Sequence, residues 1–197
     1  MVKISICIPI HWMENWPVLL TRCLASIEMQ SFADYEIILV KHSTMPITSN
    51  RTIESAKGEL VKILYMDDYL THRDSLKEIA DNFKPEDHWL VTGCLHDNGI
   101  DVGNYHEATW TENISTGNNG IGSPSVVTLR KEGRLLFDTT LSFLLDCDLY
   151  KRMHTKYGLP KILNTPNVTI GIHAGQTTNT MSEEDKLKEF DYLSKKF

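Results

Sequence analysis

Apolar and polar positions along the chain alternate between a strand-like and a helix-like pattern. Residues 2–10, VKISICIPI, are almost continuously apolar and rich in β-branched types, which predicts a strand buried on both faces. Asn15 and Pro17 then offer a cap and an early-turn proline, and Leu20, Cys23, Leu24 and Ile27 recur at helical spacing to about Gln30. Residues 35–40, YEIILV, read as a second buried strand. This β–helix–β order with short links predicts a right-handed parallel unit. Ser49 or Asn50 is expected to cap a short helix ending at Gly58. Residues 59–66, ELVKILYM, read as a third strand, and Asp67 and Asp68 follow at once. A helix is predicted over roughly 73–83 and a fourth strand over 88–94.

From about 95 to 121 the chain turns polar, which predicts a long functional or mobile loop, one that orders over a bound ligand. A strand at 125–130, a helix at 142–157 and a strand within 160–172 follow. The tail opens on a capping box, Ser182-x-x-Asp185, and then sets Leu187, Phe190 and Leu193 on one side of a helix. The reading is an α/β fold, a single domain over residues 1–181 with a mostly parallel central sheet flanked by helices. Residues 182–197 form a C-terminal amphipathic helix packed on it. Ligands on such sheets bind at the carboxyl ends of the strands.

Composition narrows the classes. A net charge of −6 argues against a broad nucleic-acid-binding surface, which needs a basic patch. Cys7, Cys23, Cys94 and Cys147 form no C-x-x-C pair and have apolar neighbours, so they read as buried free thiols in a reducing compartment. No signal peptide or membrane-spanning stretch is visible, and the expectation is a soluble, cytoplasmic protein without a membrane span.

The chemistry centres on Asp67 and Asp68. Adjacent carboxylates at a strand end repel one another, and a hard divalent cation with a nucleotide diphosphate relieves that repulsion. Taken alone, the pair reads better as a solvated turn that caps the next helix. Its neighbours change the weighting. ISICIPIHWMENW, LTRCLASIEMQSFADYEIILV, SNRTIESAKGELVKILYMDDYL, IGSPSVVTLRKEGRLLFDTTLSFLLDCDLYKRM and NVTIGIHAGQTTN occur in this order. Together they resemble the family-two-like, inverting GT-A glycosyltransferases over about residues 3–180.

The resemblance implies a Rossmann-like GT-A fold and a set of roles. Pro9, Ile10 and His11 end the first strand and would touch the nucleoside of the nucleotide sugar, with Lys41, Asn50, Tyr65 and Met66 beside them. Asp67 matches the second aspartate of the D-x-D motif and would ligate Mn²⁺ or Mg²⁺, with His173 completing the metal site. Asp146 matches the family's general base. Trp89, Trp110, Asp68 and Asp148 are candidates for contact with acceptor or sugar. The implied partners are a UDP-sugar donor and a saccharide acceptor, and a homodimer is an admitted assembly. Three positions depart from the pattern. Lys41-His42 replaces an acidic segment, Tyr65 stands at the first aspartate of D-x-D, and Leu145 replaces the glutamate before Asp146. These departures motivate an alternative, a nucleotide- or sugar-binding module on the same fold without catalysis. A nucleotidyltransferase ranks last, because IHWMENW supplies no phosphate-cradling loop.

Overall fold

The computed structural model describes residues 2–13 and 15–197; Met1 and Glu14 lie outside the described residues. An eight-stranded sheet forms the centre, in the order β2-β1-β3-β7-β5-β8-β4, with β6 paired to β5. The chain begins with β1 (Ile4–Ile10), α1 (Trp16–Glu28), β2 (Tyr35–Lys41), α2 (Met45–Ser55) and β3 (Leu60–Ile63). β1 is fully buried and runs parallel to both β2 and β3, as its unbroken apolar run requires. β4 (Tyr69–Leu70), α3 (Ser75–Asn82), β5 (Trp89–Asp97), β6 (Val102–His106) and β7 (Val127–Arg130) follow. The chain closes with α4 (Leu145–Tyr157), β8 (Lys161–Gly171), the one-turn α5 (Thr177–Thr180) and α6 (Glu183–Lys196). β5 and β8 pair in parallel, and β7 runs antiparallel to its neighbours β3 and β5. The strands β1, β2, β3, β5 and β8 therefore share one direction. All four cysteines are buried and free. Among the described residues no helix is long and apolar enough to cross a membrane.

Two local readings are corrected. α2 begins at Met45, with Thr44 at its N-cap and Pro46 in its first turn, so Ser49 and Asn50 lie buried inside the helix and cap nothing. Proline at an early helical position outweighed the better-known capping residues. The polar stretch 95–121 is largely built. β5 continues to Asp97 and turns back into β6, pairing His96 with Gly103 and Asp97 with Val102. Asn98 Oδ1 accepts the amides of Ile100 and Asp101 at 2.9 Å and closes the turn, with Gly99 at φ 82°. The hairpin is largely exposed, so its strands carry no apolar alternation to read.

In α6, Ser182 Oγ accepts the amide of Asp185 at 3.1 Å. Leu193 is fully buried and Phe190 half-buried, while Leu187 faces solvent.

One close approach fixes the end of the sheet. A Cβ on Gly171 would stand 2.4 Å from the backbone oxygen of Asp67, closer than any real side chain sits. Gly171→Ala is therefore expected to destabilise the fold by roughly 1–3 kcal/mol through overpacking, read as a lower urea midpoint. An unchanged midpoint would show that these backbones do not constrain one another.

Candidate active site

The carboxyl ends of β3 and β8 and the start of α4 enclose a cleft of about 620 Å³. Its lining includes His11, Tyr65, Asp67, Asp68, Asn119, Asp146, His173 and Gln176. Asp67 and His173 meet directly: His173 Nε2 lies 2.9 Å from Asp67 Oδ2. A carboxylate only accepts, so Nε2 carries the proton in this pair. The other oxygen, Oδ1, is buried without a protein partner, as is His11 Nδ1. Burial lowers the pKa of His11, with Asp67 opposing and His173 adding to the effect, and this keeps the ring neutral at physiological pH.

The turn that carries Asp67 is pinned from two sides. Arg22 on α1 donates one guanidinium nitrogen to the Asp67 carbonyl at 2.7 Å and another to Asp97 Oδ2 at 2.6 Å. Tyr69 also donates to Asp97, at 3.1 Å. Asp68 points inward and accepts the amide of Gly171 at 2.9 Å. Burial, with the Asp67 charge beside it, raises the Asp68 carboxyl. Beneath it the fully buried Lys62 donates to the Ser125 carbonyl, and Tyr65 N donates to Ser125 Oγ at 2.8 Å. Burial lowers the Lys62 ammonium, and the Asp68 charge partly restores it.

Asp146 lies in the first turn of α4, on the cleft wall. Its Oδ1 accepts the Cys147 amide at 2.7 Å and its Oδ2 accepts Asn119 Nδ2 at 2.8 Å. Burial pushes its carboxyl up to about 6, and these hydrogen bonds oppose the rise. Asn119 is itself fixed, because its Oδ1 accepts the amides of Ile121 and Gly122, each at 3.0 Å. The buried phenol oxygen of Tyr65 has no clear partner, and burial keeps it protonated.

The structure thus brings His11, Tyr65, Asp67, Asp68, Asp146 and His173 to one cleft. Other expected site residues lie elsewhere. Pro9, Ile10 and Met66 are buried in or beside β1 and β3 and do not line it. Asn50 clasps the backbone of Phe137 at both ends, at 2.8 and 2.9 Å. The ammonium of Lys41 sits 4.5 Å over the Trp16 ring and 5.1 Å over Trp12. Trp89 is buried and donates to the Gly158 carbonyl at 3.1 Å, so no sugar reaches it. Trp110 stacks on His154 with ring centroids 4.1 Å apart. Asp148 is fully buried against Arg152 and Lys196. Aromatic and acidic residues with sugar-binding chemistry were placed by packing instead. Arg22, Asn119 and Gln176 went unnoticed in the sequence, since nothing local marks a polar residue that reaches a distant turn.

This is a GT-A-like fold. No protein-family model matches the chain, and no curated protein sequence does. Solved structures do. S. aureus TarS 1–349 in complex with UDP is similar at a TM-score of 0.71 and 16% identity over 98% of this chain. Its complex with UDP-GlcNAc matches at 0.70. The mannosyltransferase PcManGT from Pyrobaculum calidifontis, in complex with GDP-Man and Mn²⁺, is similar at 0.61 and 12% identity over 99% of this chain. The chain spans 64–65% of the length of these three solved chains.

Asn119→Ala is expected to move the titration midpoint of Asp146 upward from about 6, because a bond to the charged form is lost. Carboxyl-carbon NMR of Asp146 reads this directly, and an unmoved midpoint would detach Asn119 from the carboxylate.

Proposed function

We propose that the chain is an inverting glycosyltransferase that moves a hexose from a UDP-sugar to a hydroxyl of a saccharide acceptor. One observation carries the reading: Asp67, His173 and Asp146 line a single cleft at the ligand-binding end of the sheet. The GT-A-like neighbours, crystallised with UDP, UDP-GlcNAc and GDP-Man, support the donor class. The four buried free thiols support a reducing, cytoplasmic setting.

The charge of the cleft supports metal assistance. Among the described residues its lining carries three aspartates and no lysine or arginine. A diphosphate entering such a cleft meets the charge of Asp67 and of ionised Asp146, and an accompanying cation offsets that repulsion. The unpartnered Asp67 Oδ1 fits a hard or borderline divalent ion, diphosphate oxygens would fill most of its remaining positions, and His173 Nε2 would join only by giving up its proton and its bond to Asp67. Bound there, Mn²⁺ or Mg²⁺ would supply the positive charge that stabilises the departing diphosphate.

Asp146 does the proton chemistry. Both of its oxygens keep a lone pair beyond the bonds to Cys147 and Asn119. The acceptor hydroxyl gives its proton to Asp146 as its oxygen bonds to the anomeric carbon. The bond from that carbon to the diphosphate oxygen breaks, and its electron pair leaves with the diphosphate. Attack from the face opposite the leaving group inverts the anomeric centre. Tyr65 and His11, both neutral, are suited to hydrogen bonds with the nucleotide.

Asp146 acts as base only when ionised, so kcat/KM should fall as pH is lowered through about 6. A flat acidic limb between pH 5 and 7 would remove it from that role. Asp146→Asn should lower turnover by roughly 10²–10⁴-fold while UDP binding stays within about twofold. A chelator should abolish transfer and added Mn²⁺ restore it, and Asp67→Ala should weaken UDP binding only when Mn²⁺ is present. Transfer that persists in chelator would overturn the metal assignment.

The altered motif positions motivate the non-catalytic alternative: Tyr65 stands at the first aspartate of D-x-D, and Lys41-His42 replaces an acidic segment. Binding of UDP without donor hydrolysis or transfer would select that binding module.

A further inference from the structure

Helix α4 carries Asp146 but has no side-chain cap of its own, since Leu144 occupies its N-cap. The amides at a helix start need acceptors. The N-cap Leu144 and the two residues that lead into it find one far along the chain. Glu189, on α6, accepts the Ser142 amide through Oε1 at 2.7 Å. Its Oε2 accepts the amides of Phe143 and Leu144 at 2.9 and 2.8 Å. Glu189 is buried, only 7% exposed, and among the described residues no cation pairs with it. Its charge is met by three amides and by the positive end of the α4 dipole.

α6 is fastened beside this contact. Phe190 meets Phe143 edge-on, with ring centroids 6.1 Å apart. Lys196 reaches the Asp148 carboxylate on α4 at 2.7 Å. Ser142 and Phe143, whose amides Glu189 holds, line the cleft together with Asp146. Among the described residues, no hydrogen bond joins the donor-side residues Asp67 and His173 to this clasp; Arg22 holds the Asp67 carbonyl, and His173 bonds the Asp67 carboxylate.

We propose that Glu189 is a positioning residue for glycosyl transfer: by capping the start of α4 it fixes the cleft wall that carries Asp146, and so sets turnover without touching the donor. This rests on the transferase reading above.

The test uses the full chain with Glu189→Ala and Glu189→Gln. Glutamine keeps one carbonyl acceptor, so it carries the test if the alanine variant fails to fold. Turnover should fall at least tenfold in Glu189→Ala and less in Glu189→Gln. Donor KM, and the Kd of UDP with Mn²⁺, should stay within twofold. Amides 142–147 should exchange with deuterium at least tenfold faster in Glu189→Ala, with a smaller increase in Glu189→Gln, and those around Asp67 should not change. Turnover that is unaffected, or that declines in step with UDP affinity, overturns the proposal. If the unmodified chain transfers no sugar from any donor, the proposed activity fails and hydrogen exchange alone judges Glu189. Faster exchange confined to 142–147 then supports its hold on α4, and unchanged exchange overturns it.

Discussion

The site depends on one backbone contact. The turn after β3 and the end of β8 approach so closely at Asp67 and Gly171 that no side chain fits between them. The chain separates these residues by about a hundred positions, yet the Asp68 carboxylate and the Gly171 amide join them again one residue away. Arg22 holds the same turn through the Asp67 carbonyl, and its guanidinium lies beside Gly171 as well. Only with this turn fixed can His173, two residues past Gly171, reach the Asp67 carboxylate. Asp67 therefore owes its orientation to backbone geometry as well as to His173, and one of its carboxylate oxygens is left without a protein partner.

Burial divides the acidic residues into separate tasks. Asp68 turns into the protein, where Gly171 and the buried Lys62 region receive it. Asp67 faces the cleft with one oxygen unused. Asp146 sits across that cleft in surroundings that raise its carboxyl toward neutrality. Asp148, two residues on, points the other way and joins an ion cluster with Arg152 and Lys196. Helical spacing explains that split, because residues two apart on a helix face nearly opposite sides.

Much of the sheet was legible because β1, β2 and β3 are apolar runs bounded by clear helix signals. The end of β5 and the whole of β6 were hidden, because strand segments of mixed polarity that face solvent leave no period to detect. Among site residues, Asp67, Asp146 and His173 stood out through ordered motifs, and the cleft gathers all three. Trp89, Trp110, Lys41 and Asn50 carry suitable side chains, yet the structure employs them in packing, stacking and backbone bonds. Residue type reports what a side chain can do, whereas direction depends on contacts between distant segments. Glu189 shows the same limit: in the sequence it is one charge among many on a surface helix, and in the fold it is buried.

The dependence of α4 on residues 189 and 196 has a consequence for how the molecule matures. A nascent chain that has emerged only as far as α5 already contains Asp67, Asp146 and His173, but the segment leading into α4 still lacks its acceptor. The sheet can assemble early, whereas the wall bearing Asp146 closes only after α6 has been synthesised and docked. Loss of the last fourteen or so residues to a protease would accordingly leave a folded sheet with a loosened rim.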